Sequence, residues 1–421
     1  MATWEDDGIE LVGRNRWWLA LGATPWLAGA TLATLAIASG NSVFLTPLFH
    51  LGIFGGLGLF FAYRFNRNPR YTSGRLRIDE CAVTHDGKAC CLRSEIASGM
   101  LVPIGRDWFV RLKRKGLSPS VLLRAPSEAE GREVLRALGL DASQTVAQVH
   151  GLSPYFGLSK GPQFALSALP ALLIAATFVG MRVVGGAVAP FAGLAFAVFM
   201  LMVSVVMLVK TRISIGADGI LTEWLGRRRF HAFSDIREVV PMERAASTKR
   251  YLGIELRKHD GSTTFLPIGQ ARWGEEEFHA TCERVREAMQ VYASGDGVDA
   301  ARLVERGARS TREWVTALRR LGTGAHADMR TAPVDVAALV RVVSDPSAKP
   351  ALRAGAAIAL STSDSAPEEH RVRIHAAAGA AAAPKLRIAL QKAAEPTTTE
   401  EELAELLAEL EAEEAPKRAK A

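Results

Sequence analysis

The sequence predicts a multi-pass α-helical membrane protein with two cytoplasmic antiparallel β-domains, each closed by a C-terminal helix, and an all-α C-terminal module. Three observations lead to this fold class. The mean hydropathy is +0.10 although 23% of the residues are charged, so the apolar residues must be concentrated in blocks. Two pairs of long uncharged runs are present. The segment after each pair contains the same order of predicted strands and a final helix.

The composition and these patterns divide the 421 residues into seven segments, since a chain of this length exceeds one compact domain. The predicted segments are a cytoplasmic N-terminus (1–16), transmembrane hairpin 1 (17–65), β-domain 1 (72–140), transmembrane hairpin 2 (163–209), β-domain 2 (211–292), an α-helical module (299–395) and a charged, disordered tail (396–421).

Four uncharged runs, residues 17–39, 43–63, 164–181 and 187–209, each have about the length needed to cross ~30 Å of hydrocarbon as a helix. Lys and Arg residues are concentrated outside the hairpin tips, which predicts that both termini and both β-domains are cytoplasmic. Gly52 and Gly56 form a small-xxx-small pair, and we interpret them as a helix-packing contact. His50 is interpreted as a hydrogen-bonded neutral imidazole, with a transport role as the alternative.

The two predicted β-domains begin with short strands around a turn and end in one helix. In the first, Asp86-Gly87 is a hairpin turn, and Ser127 and Glu130 have the spacing of a capping box. In the second, the turn is Asp218-Gly219 and the closing helix covers residues 275–289. Equivalent positions in the two halves are separated by about 140 residues, which indicates an internal duplication.

The second β-domain also resembles a known family. The residues that carry the resemblance are Arg212-Ile213-Ser214-Ile215 through Asp218-Gly219-Ile220, then Phe233-Ser234-Asp235-Ile236 with Val239 and Val240. These segments are similar to bacterial pleckstrin-homology-like (PH-like) modules that follow paired membrane helices. The first copy retains only Ser94-Glu95-Ile96 at the matching place, and the match covers about two-fifths of the chain. The resemblance implies two PH-like domains at the bacterial inner membrane, and it implies no reaction.

The C-terminal third is rich in Ala, Arg and Leu and lacks strand signals. Asp335 is predicted to cap a helix over residues 336–343, and Asp345-Pro346 is a turn before a second helix at 351–360. This Asp-Pro turn followed by Arg353 resembles a HEAT-type helical repeat. Residues 400–414 are predicted to form an acidic helix with a leucine stripe, and we interpret this helix as part of a solvated, partly disordered tail.

No catalytic, cofactor-binding or metal-binding residue is predicted, because the chain lacks a phosphate-binding loop, a nucleophile elbow and paired zinc-ligand motifs. Two weaker alternatives exist. Cys81, His85, Cys90 and Cys91 could hold zinc, although reduced cytosolic thiols explain them. His85 and His259 each precede Asp-Gly, which suggests a hydrolase, although turn chemistry explains this as well.

The function predicted from these patterns is a membrane-anchored scaffold or sensor that presents cytoplasmic interaction modules. The alternatives are a small-molecule or ion transporter, or a membrane-associated enzyme of unrecognised type. The net charge of +7 is assigned to lipid contact and not to nucleic acid, since many basic residues flank the apolar runs. The expected partners are the lipid bilayer, anionic lipid head groups, an unidentified protein and a second copy of the chain. The candidate contact residues, which could also be simply solvated, are Lys113, Arg114, Lys115, Arg227, Arg228 and Arg229.

Overall fold

The structure is a computed structural model. It describes residues 3–13, 31, 34, 70–116, 120–154, 209–246, 249–271, 274–295, 302, 304–323, 335–363 and 367–414. These residues form two compact units, the first from residues 1–97 and 105–137 and the second from residues 98–104 and 138–421.

The predicted fold class, a multi-pass α-helical membrane protein, is contradicted by the structure. The described residues form four antiparallel sheets and eight α-helices, and none of these helices is long and apolar enough to cross a membrane. The four predicted spans lie outside the described residues except for Thr31, Thr34 and Val209, and Gly52, Gly56 and His50 also lie outside them. The prediction rested on uncharged run length and overlooked the short strands that precede each pair of runs.

Those strands belong to sheets that the sequence did not predict. The residues expected to be a cytoplasmic N-terminus contain strands β1 and β2, and a further strand, β10, precedes residue 155. Each pairs with a strand that follows the undescribed segment, as in the registers Trp4↔Ile78 and Val149↔Ile213. Segments on both sides of each uncharged pair therefore belong to the same sheet.

The first nine strands and one helix are β1 (Trp4–Asp6), β2 (Glu10–Gly13), β3 (Arg70–Thr72), β4 (Leu76–Ile78), β5 (Ala82–His85), β6 (Lys88–Leu92), β7 (Ile96–Ile104), β8 (Asp107–Arg114), β9 (Val121–Ala125) and α1 (Glu128–Ala137). The strand orders are β1-β4-β5-β6 and β3-β2-β9-β8-β7. The helix α1 begins after Ser127, whose hydroxyl accepts a hydrogen bond from the Glu130 N–H at 3.2 Å, as the predicted capping box requires.

The second unit contains β-domain 2, which extends beyond the predicted range 211–292 because the strand β10 also belongs to it. Its elements are β10 (Ala147–Gly151), β11 (Thr211–Ile215), β12 (Gly219–Trp224), β13 (Arg227–Ala232), β14 (Ile236–Ala246), β15 (Lys249–Lys258), β16 (Thr263–Gln270) and α2 (Glu275–Ala293). The sheet orders are β10-β11-β12-β13 and β14-β15-β16. Alternate strand residues and one face of α2 meet in a core that includes Ile213, Ile254 and Phe278.

The two halves of the chain share the order of their elements from the four-stranded sheet onward, although β2 and β3 add two strands to the second sheet of the first half. The sheets β1-β4-β5-β6 and β10-β11-β12-β13 have the same connectivity, and a short 3-10 turn follows the last strand of each, at Arg93–Glu95 and Phe233–Asp235. Three consecutive strands and one helix come next in both halves. The backbone therefore repeats the order of elements on which the duplication was inferred.

The remaining helices form what we call the helical module: α3 (Thr311–Gly322), α4 (Val336–Ser344), α5 (Pro350–Ser361), α6 (Pro367–Ala380), α7 (Pro384–Ala394) and α8 (Glu400–Glu414). Asp335 caps α4 by accepting a hydrogen bond from the Ala337 N–H at 2.9 Å, as predicted. Alanine-rich faces of α5 and α7 allow close helix packing around a shared core.

Residues 400–414 form the helix α8, in agreement with the predicted acidic helix, but this helix packs in the helical module instead of belonging to a solvated tail. Leu403, Leu407 and Leu410 are buried in the core of the helical module. They lie three or four residues apart, so all three face the same side, and the glutamates between them remain at the surface. The sequence therefore predicted the helix but not its packing against the other helices of the module.

Candidate interaction site

The six basic residues singled out in the sequence have different surroundings. Arg114 pairs with Glu95, and its side chain is largely shielded from solvent. Lys113 is half-buried, while Lys115 is exposed and its backbone N–H donates to the Glu95 carbonyl. The run from Lys113 to Lys115 therefore contributes to the local structure of the first unit and does not form an open basic patch.

The arginines at the start of β13 are all exposed. The Arg228 Nε atom lies 3.0 Å from Glu223 Oε1 on β12. Among the described residues, no carboxylate lies within ion-pair distance of Arg227 or Arg229. In the described part of the chain, these two guanidinium groups therefore have no internal counter-ion.

Two more basic residues lie at the same end of the sheet, because β11 begins where the hairpin of β12 and β13 turns. Lys210 and Arg212 are exposed, and Arg212 donates to the Gln148 side chain at 2.6 Å. From Lys210 to the end of β13, this end carries five basic side chains and one carboxylate, Glu223, a net charge of +4. We define the basic hairpin surface as Lys210, Arg212, Leu225, Arg227, Arg228 and Arg229.

The opposite end of the same sheet is attached to the helical module. The turn between β11 and β12 contains Asp218, which is only 7% exposed, and its two carboxylate oxygens accept hydrogen bonds from the backbone N–H groups of Ala382 at 2.6 Å and Ala383 at 3.0 Å. The Ala217 N–H donates to the Ala380 carbonyl at 3.0 Å. A Cβ added at Gly216 would lie 2.5 Å from the Ala382 nitrogen, so only glycine allows this approach.

A buried arginine strengthens this contact. Arg353 on α5 is 2% exposed, and its Nε atom donates to the Val343 carbonyl at 3.1 Å. Burial lowers the pKa of its guanidinium, while the nearby charges of Asp218 and Asp345 act in the opposite direction. The buried positive charge therefore offsets the negative charge that the turn of the β-domain brings to the helices.

A second contact links the loop before β10 to the helical module, where the Val146 N–H donates to the Gly379 carbonyl at 3.0 Å. The same loop is held from the other side by Arg284 of α2, which donates to the Asp141 and Thr145 carbonyls at 3.1 and 2.7 Å. These two contacts therefore connect the helical module to the preceding β-domain.

The histidines and cysteines do not converge on a reactive centre in the described residues. His85 is buried beside Asp86, with 3.7 Å between Nδ1 and the carboxylate, while burial lowers the pKa of His231 to about 4 and His259 is exposed in a turn. Burial raises the pKa of Cys91 to about 11, which disfavours its thiolate, and Cys81 is exposed. Within the described ranges, no group of three or more His, Cys, Asp or Glu side chains could hold a metal ion.

The sequence identified the arginines but missed two features of the same sheet, the docked turn at Asp218 and the exposed hairpin tip at Leu225. Asp218 was interpreted only as a turn residue, and Leu225 was not singled out. The available signal was the pair Leu225-Gly226 between β-like runs, because a hairpin turn of this length usually takes Asn or Asp before Gly. No model of a known protein family matches this chain, and no curated protein matches it in sequence.

Proposed function

We propose that the chain is a non-catalytic interaction scaffold that joins an anionic membrane surface to a protein partner. This proposal rests on the different surroundings of the two ends of β12. At its first residue the strand adjoins the Asp218 turn, which is docked on the helical module, and at its last residue it leads into the basic hairpin surface. Six residues of strand separate these ends by ~20 Å.

The basic hairpin surface is suited to lipid phosphate groups. Guanidinium groups bind phosphate through charge-assisted hydrogen bonds, and basic residues near an anionic leaflet contribute roughly 1 kcal/mol each. Because Arg227 and Arg229 have no internal carboxylate partner among the described residues, their binding to phosphate would not require breaking an ion pair.

The helical module supplies the second binding surface. Its two exposed large apolar side chains among the described residues, Val372 and Ile388, lie on α6 and α7. The turn between these helices is the one that Asp218 holds. A protein bound to α6 and α7 would therefore be kept in a defined direction from the hairpin, which is what a scaffold requires.

The lipid half of the proposal is tested by sedimentation of the full-length chain with phosphatidylcholine vesicles that contain or lack phosphatidylserine. The triple variant Arg227→Glu, Arg228→Glu, Arg229→Glu should bind the anionic vesicles at least about 100-fold more weakly than the unmodified chain. Added salt should weaken the binding of the unmodified chain, since exposed charges are screened.

The matched control reverses three exposed arginines of the helical module, Arg309, Arg312 and Arg320, and so makes the same change in net charge. It should retain most of the binding. An equal loss in both triple variants would mean that only the overall charge matters. Unchanged binding in the hairpin variant would refute a role for this surface.

A further inference from the structure

The apolar residue at the tip of the basic hairpin surface has an unusual backbone conformation. Leu225 has φ +47° and Gly226 has φ +78°, so both central residues of the two-residue turn between β12 and β13 are left-handed. Gly, Asn and Asp tolerate this conformation, whereas a leucine Cβ clashes with the following carbonyl. The corresponding turn of the first unit has Asp86 and Gly87, with φ +51° and +74°.

Packing against the described residues does not explain the leucine at position 225. Its surface is 50% exposed, and it belongs to neither hydrophobic core described for the second unit. Among the described residues, Leu225 therefore combines a strained backbone with a half-exposed apolar side chain. Strained residues of this kind are concentrated at functional sites, which makes Leu225 a candidate for contact with a partner.

The neighbouring side chains indicate the chemistry of that partner. Arg227, Arg228 and Arg229 follow the tip directly, and Trp224 precedes it, with its indole N–H donating to the Val209 carbonyl at 3.1 Å. An apolar residue surrounded by basic side chains matches the boundary between phosphate groups and acyl chains. A stable protein interface buries about 800 Å² per partner, and one leucine flanked by arginines offers little apolar area for it.

We propose that Leu225 inserts into the acyl boundary of an anionic bilayer while the arginines bind the lipid phosphates. This inference rests on the proposed function and adds a component of binding that salt does not screen. The arginines bring the hairpin to the surface, and burial of the leucine then holds it there after the charges are screened.

The variant Leu225→Asn tests insertion without endangering the fold, because asparagine adopts the left-handed conformation more readily than leucine. Its thermal stability should equal or exceed that of the unmodified chain. Its binding to vesicles with phosphatidylserine, measured in high salt, should be at least about tenfold weaker, because the leucine side chain is no longer present to move from water into the bilayer. The highest pressure at which it penetrates a phosphatidylserine monolayer should fall, and Leu225→Phe should restore both properties.

The outcomes separate this inference from the proposed function. If reversal of the three arginines abolishes vesicle binding while Leu225→Asn binds and penetrates like the unmodified chain, insertion is refuted and the scaffold proposal stands. If neither change affects binding, both proposals fail. Soluble polyglutamate serves as the second probe: if Leu225→Asn weakens its binding as much as vesicle binding, the hairpin recognises an acidic protein and lipid insertion is refuted.

Discussion

The carboxylate of Asp218 accepts a 2.6 Å hydrogen bond from the backbone N–H of Ala382, a residue 164 positions later in the sequence. The helix α7 starts after Ala383, which has no side chain that can cap it, and the second Asp218 oxygen accepts from the Ala383 N–H. A β-domain therefore satisfies the free backbone donors that precede a helix in another module. Through this contact the hairpin surface and the helices belong to one compact unit.

Replacement of Asp218 by Ala should destabilise the contact between β-domain 2 and the helical module. Two buried N–H groups would lose their acceptors, which costs about 1–3 kcal/mol of unfolding free energy. Urea unfolding of the full-length chain measures this cost. Asp218→Asn keeps one carbonyl acceptor and should give an intermediate value. Asp260→Ala, in an exposed turn, serves as the control, and an equal loss there would contradict the assignment.

The stability of the second unit should depend on the ionisation of Glu287. Burial, followed by a hydrogen bond with Asp141, raises the pKa of Glu287 to about 7, although its 3.1 Å ion pair with Arg284 opposes the shift. Burial acts to raise the pKa of Asp141 as well, but hydrogen bonds, first of all that with Glu287, outweigh it and lower this pKa below its ordinary value.

Because the pKa of Glu287 is higher in the folded state than its ordinary value of 4.5, the folded state binds this proton more tightly. The resulting stabilisation is complete below pH 4.5 and is lost as the pH rises through about 7, by at most ~3 kcal/mol. Urea unfolding from pH 4.5 to 8 should show this loss in the unmodified chain and a flatter dependence in Glu287→Gln. Burial lowers the pKa of His231 to about 4, so its contribution to the stability is lost as the pH falls below 6.5, opposite to that of Glu287. This contribution is the same in the unmodified chain and in Glu287→Gln. Parallel pH curves for the two proteins would contradict the assignment.

The helix α8 should be essential to the helical module. Leu407 is 1% exposed in its core, and Leu407→Ala should cost about 2–5 kcal/mol of unfolding free energy because it leaves a cavity. Glu405→Ala, on the exposed side of the same helix, should change it by less than about 0.5 kcal/mol. Thermal unfolding followed by circular dichroism compares the two. Similar melting curves for both variants would mean that residues 400–414 do not support the module.

Some parts of the fold could be predicted because their determinants are local. Asp335 caps α4 through a residue two positions away, and Asp86-Gly87 forms a turn within four residues. Strands β1 and β2 were missed since each is three or four residues long and contains charged side chains, so no periodic pattern identifies it. Uncharged runs predicted membrane spans, and the correction of the fold class came from the sheets around them.

The sequence alone determined the local elements, the order in which they repeat and the three consecutive arginines at 227–229, because each depends on residues close together in the chain. Only the tertiary structure decided that Asp218 meets Ala382, that Arg114 pairs with Glu95 while Arg227 has no carboxylate partner among the described residues, and that Leu225 lies half-exposed at a hairpin tip. These relationships depend on which distant segments pack together and which backbone donors remain unsatisfied, and packing over such distances leaves no periodic signal in the sequence.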